Sequence, residues 1–102
     1  RLHHGTLNGV ILPTILRFNK DHVGDKYSKI ARAMGKKESI DLANEIEKLN
    51  EEIGLPNGLK AMGVSEDMIP KLVLHSMTDP SNATTPRLPS QEEWEKLFLE
   101  AM

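Results

Sequence analysis

HHGTLNGVILPTILRFN, residues 3–19, sets two histidines and a glycine directly in front of a run that is apolar over most of a helix's circumference. Leu7, Val10, Ile11, Leu12, Ile15 and Leu16 recur with a period near 3.6, which predicts a helix from Thr6 to Phe18. A helix apolar nearly all round belongs in an interior. The run is broken by Pro13 and Thr14 and falls far short of the roughly 20 apolar residues a bilayer span needs, so no membrane helix is expected. Pro13 lacks an N–H and its ring presses on the carbonyl four residues back, that of Gly9. A modest bend follows, for which glycine gives the backbone room.

Working outward, each later segment also carries a helical period and none alternates long enough for a strand, so the fold class is all-α, with five to six helices. A second helix, about Asp25 to Met34, gathers Tyr27, Ile30, Ala31 and Met34 on one face and stops at Gly35. Ser39 caps a third, to about Ile53, with a stripe of Leu42, Ile46, Leu49 and Ile53, and Gly54 ends it. Residues 55–63 read as a short helical turn packed through Leu59 and Met62. Ser65 caps the next helix, in which Met68, Ile69, Leu72 and Val73 share a face, and residues 78–89 read as loop. Ser90-Gln91-Glu92-Glu93 matches a capping box, followed at helical spacing by Trp94, Leu97, Phe98 and Ala101. Met34, Met62, Met68 and Met77 fall on these apolar faces and are expected in the core.

The 102 residues have room for one domain, spanning 1–102. Lys and Arg number 13 against 15 Asp and Glu, interspersed, for a net charge of −2, and this removes the basic footprint of nucleic-acid binding. With no cysteine, disulfides and thiol catalysis are excluded, a reducing compartment fits, and metal chemistry falls to histidine and carboxylates. The serines lack a glycine elbow for nucleophilic work, and pairs such as Glu51-Glu52 and Glu92-Glu93 read as solvated surface. His22 reads as a polar loop residue and His75 as half-exposed. His3 and His4 point about 100° apart on a helix and do not readily share one metal, so on the residues alone they stand either as polar residues at a helix start or as one ligand and its neighbour. Arg1 in place of an initiator methionine points to a piece of a longer chain.

His4-Gly5-Thr6-Leu7-Asn8-Gly9-Val10-Ile11-Leu12-Pro13, then Arg17-Phe18-Asn19, Asp25-Lys26-Tyr27 and Ile30-Ala31-Arg32-Ala33-Met34-Gly35, resemble the C-terminal helical domain of the iron-containing alcohol dehydrogenases, a fold group shared with dehydroquinate synthase-like proteins. Ile53-Gly54-Leu55-Pro56, the Leu59 to Gly63 turn, Asp79 and Thr85-Pro86-Arg87 continue the resemblance, which covers nearly the whole chain. It implies that His4 is the last of four ligands, one aspartate and three histidines, to a catalytic divalent metal, Fe2+ first and Zn2+ second, and that His3 lines the site. It places the other three ligands upstream of Arg1, together with an N-terminal α/β domain that binds NAD or NADP; no glycine-rich phosphate loop occurs in this chain. The implied substrate is a small alcohol or aldehyde and the implied location cytoplasmic, with homo-oligomerisation open, no catalytic residue beyond the ligand and an inactive isolated fragment. Thr85 stands where relatives usually carry asparagine, which bears on loop contacts rather than on the metal. The alternative from another class is a self-contained helical interaction module whose first helix docks a partner.

Overall fold

The expected helical periods are realised as five helices: α1 (His4–Asn19), α2 (Lys26–Ala33), α3 (Leu42–Glu52), α4 (Ile69–Met77) and α5 (Gln91–Ala101). The structure is a computed structural model and describes residues 4–38 and 40–102, with the side chain of His4 outside the description. Single 3₁₀ turns at Lys20–His22, Lys60–Met62 and Glu66–Met68 and a longer one at Pro80–Thr84 join them, and no strand occurs among the described residues. The chain is therefore all-α, as its spacing predicts. α1 packs against both α3 and α5, and α4 packs against α5. Val10, Leu59, Val64 and Ala101 form the centre of the core, with Leu7, Ile11, Leu72 and Phe98 closing around them.

Local chemistry explains where the helices stop. At the end of α3, Gly54 takes φ 79°, a left-handed conformation that costs glycine little. This lets the Gly54 N–H reach the Glu51 carbonyl at 3.2 Å and the Leu55 N–H reach the Asn50 carbonyl at 2.9 Å. Two carbonyls orphaned by the helix end are thereby satisfied, the double bond pattern of a Schellman motif. The end of α2 repeats it, with bonds from Gly35 to Arg32 and from Lys36 to Ala31. The start of α5 is the reciprocal box its sequence spells: the Ser90 hydroxyl accepts from the Glu93 N–H at 3.2 Å, and the Glu93 carboxylate accepts from the Ser90 N–H at 3.0 Å.

Several expectations are corrected. α3 begins at Leu42 behind Asp41, whose carboxylate accepts from the Asn44 N–H at 3.2 Å; Ser39, the expected cap, lies outside the described residues. The Leu42–Ile46–Leu49–Ile53 stripe is covered only in its first half: Leu42 is buried and Ile46 half-buried, whereas Leu49 is 42% and Ile53 62% exposed. Ala43 is buried beside Leu42, and further along the helix Asn50 reaches α1 with its side chain. Ser65 does not cap α4: its hydroxyl is bonded to the Asp67 carboxylate, and the α-helix starts at Ile69 with Pro70, whose missing N–H costs nothing in a first turn. Of the four methionines expected in the core, Met34, Met68 and Met77 are exposed and Met62 packs on it. The 78–89 loop is ordered by Asp79, which accepts from the Ser81 N–H at 2.8 Å.

Candidate functional site

His4 is the first described residue of α1; His3 lies outside the described residues, as does the orientation of the His4 ring. Among the described residues no three His, Asp or Glu side chains are grouped so that they could hold a metal ion. His22 and His75 are both exposed, the first in a 3₁₀ turn and the second on α4. His4 thus stands at the start of α1, a helix packed on both α3 and α5.

A contact from α3 meets this helix where the sequence predicts weakness. Pro13 cannot donate to the Gly9 carbonyl, so one rung of α1's hydrogen-bond ladder is missing. The Asn50 side-chain amide of α3 supplies it, donating to the Gly9 carbonyl at 2.8 Å. A Cβ on residue 9 would lie 2.8 Å from Leu55 Cδ1, so the Leu55 side chain would have to shift to admit one. Asn50 and Leu55 are the same two residues linked by the Schellman bond at the end of α3, so the end of one helix is seated on the interrupted turn of another.

Beyond that contact α1 is held at its far end. Tyr27 donates from its hydroxyl to the Leu16 carbonyl at 2.9 Å, and burial raises its pKa, which keeps the proton on the oxygen that donates. Arg87 donates to the Phe18 carbonyl at 3.2 Å, lies 4.0 Å above the Phe18 ring centre, and pairs with Glu93 at 2.5 Å. The Ser90 N–H, with Arg87 as a further influence, holds the Glu93 carboxyl below its usual range. Arg17 is bonded to Glu47 and, at 3.0 Å, to Asn44, clamping α1 to α3. Lys48, then Lys36, lowers the pKa of Glu45 on the same helix.

Two clefts, of ≈ 470 and ≈ 360 Å³, open along α1, the first beside Val10 to Arg17 and the second beside Arg17 and Phe18, and both are lined by Arg17 and Glu100.

Sequence reasoning missed Asn50. A signal existed in Pro13, which announces an unsatisfied carbonyl at Gly9, but the residue that answers it lies 41 positions away. Arg87 was marked only as part of a motif, and its seat on Phe18 is 69 positions distant.

The family model "Fe-containing alcohol dehydrogenase family, C-terminal" matches residues 1–102. The chain belongs to the iron-containing alcohol dehydrogenase family. Within it, the chain is 36% identical over 105 residues to a 4-hydroxybutyrate dehydrogenase of Cupriavidus necator, covering 99% of this chain and 28% of the relative. It is 34% identical over 103 residues to the lactaldehyde reductase of Escherichia coli K12, covering 93% and 27% respectively. The solved structure of a 1,3-propanediol oxidoreductase superposes with a TM-score of 0.92 at 27% identity, over 99% of this chain and 28% of that one. The five-helix architecture is that of the family's C-terminal helical domain, and the chain spans little more than a quarter of these relatives' length.

Proposed function

We propose that this chain is the metal-bearing helical part of an NAD(P)-dependent alcohol dehydrogenase acting on a small alcohol or aldehyde, with His4 as one ligand of a catalytic divalent cation. The observation that carries the reading is the family match across residues 1–102, in which His4-Gly5 heads the buried helix. The relatives' names point to short hydroxy compounds and an aldehyde as the substrate class. The rest of the enzyme is an upstream α/β domain that brings the dinucleotide and the remaining ligands.

The donor chemistry fits. A neutral imidazole suits Fe2+, the metal proposed from the family, and Zn2+ equally. No acidic residue occupies the first turn of α1, and a cation there faces the positive end of the helix dipole. An anionic ligand from elsewhere has to balance it, in keeping with the aspartate of the implied ligand set. When bound, the metal supplies Lewis-acid polarisation of the substrate oxygen and the nicotinamide exchanges the hydride. This chain's own task is to bind and orient: His4 offers its ring nitrogen, Gly5 carries no side chain beside it, and the α1–α3–α5 packing holds the helix still.

A stand-alone interaction module is less well supported. The helix it would use spends its apolar side inside the fold, where Val10, Pro13 and Thr14 are buried, and Leu12, 39% exposed, is the large apolar residue it leaves on the surface among those described. His4→Ala in the full-length protein is expected to lower bound metal, measured by elemental analysis, and turnover together. Normal occupancy in that variant would rule the assignment out.

A further inference from the structure

We propose that Asn50 is a positioning residue for the metal ligand on α1: by capping the Gly9 carbonyl it fixes the half of the helix that carries His4. The inference rests on the reading of His4 given above. Pro13 leaves one hydrogen bond of α1 unmade, at the Gly9 carbonyl, which makes this joint the place where the continuous helix bends most readily, and His4 lies on its N-terminal side. Nine residues of helix separate the joint from His4, about 13 Å, so a 10° change of bend at Pro13 displaces His4 by roughly 2 Å. Metal–ligand distances tolerate only about 0.2 Å. Something must hold the joint.

The contact at Gly9 is built for that purpose. Asn50 donates to the freed carbonyl at 2.8 Å, and its own carbonyl is locked by the Leu55 N–H at 2.9 Å. The Leu55 side chain occupies the space a Cβ on Gly9 would take, so a polar and an apolar side chain from one helix end meet a single residue of α1, five positions from His4. The amide is chemically specific, since it must donate to a carbonyl from a fixed direction. Aspartate has the same shape and offers no donor.

The test uses the full-length protein loaded with Zn2+ or Fe2+, reading the rate of metal loss to a chelator alongside kcat and KM. In Asn50→Asp and Asn50→Ala, metal loss is expected to quicken about 10- to 100-fold, as for groups that orient metal ligands, and kcat to fall with KM little changed. Pro13→Ala restores an N–H that closes the Gly9 carbonyl within α1. In that background the Asn50 substitutions are expected to lose most of their effect, which a general packing role would not produce. Folded Asn50 variants with unchanged metal loss, beside a His4→Ala variant that loses its metal, overturn the role of Asn50 alone. Failure of Pro13→Ala to rescue overturns it as well. Full metal retention in His4→Ala instead overturns the ligand assignment beneath it.

Discussion

Replacing Arg87 with alanine should loosen the junction between the end of α1 and the start of α5, although the residue sits in a loop and its side chain is 36% exposed. Its hydrogen bond to the Phe18 carbonyl has a charged donor, but partial exposure reduces it to about 1 kcal/mol. The guanidinium 4.0 Å above the Phe18 ring adds about 0.5–1 kcal/mol. The pair with Glu93 is given no weight, because both side chains are about a third open to water. The sum, about 1.5–2 kcal/mol, corresponds to a 10- to 30-fold rise in local opening. Hydrogen exchange of peptides covering residues 15–22 and 85–93 reads this directly, with the α3–α4 region as internal control. Exchange faster by less than threefold in both peptides would refute the claim that this one side chain joins the two helix ends.

Two further outcomes concern the helix start and the helix contact. Ser90→Ala removes half of the capping box and should cost about 1 kcal/mol, seen as fraying of the first turn of α5. Because the folded pKa of Glu93 lies below its ordinary 4.5, the box is intact above that value and is lost as pH falls through the depressed one. A carboxyl titration by NMR should place the Glu93 midpoint below 4.5 and the loosening of that turn below it too; a midpoint at or above 4.5 contradicts the bonding described. Gly9→Ala gains about 1 kcal/mol of helix propensity but pushes a methyl against Leu55, at roughly 1–3 kcal/mol. Net destabilisation is expected in urea titrations; in a Leu55→Ala background the same substitution should instead stabilise by about 1 kcal/mol relative to Leu55→Ala alone, and no reversal would show that Leu55 is not the obstacle.

What the sequence makes legible is whatever is decided within a few residues. The capping box at Ser90, the glycine stops at 35 and 54 and the helical turn around Leu59 all appear where spacing and turn chemistry put them. Ambiguity enters where two residues can do one job, as at Ser39 and Asp41, and where a helix has more apolar residues than its neighbours can cover, as with Leu49, Ile53, Met34 and Met77. The inward role of Asn50 on α3 is unreadable locally, because the carbonyl it answers lies 41 positions earlier. The candidate site shows the same division. Its single histidine is visible through the family pattern, but nothing local reveals which contacts steady the helix beneath it.

The anchoring of α1 has a consequence for how the protein is made. The helix leaves the ribosome before the residues that anchor it, which follow 41 residues later at Asn50 and 69 residues later at Arg87. During synthesis the Gly9 carbonyl therefore stays open until Asn50 has emerged, and the Phe18 end stays unheld until Arg87 has. Truncation between Asn50 and Arg87 should accordingly leave α1 anchored at its middle and loose at its end, and truncation before Asn50 should leave it loose at both.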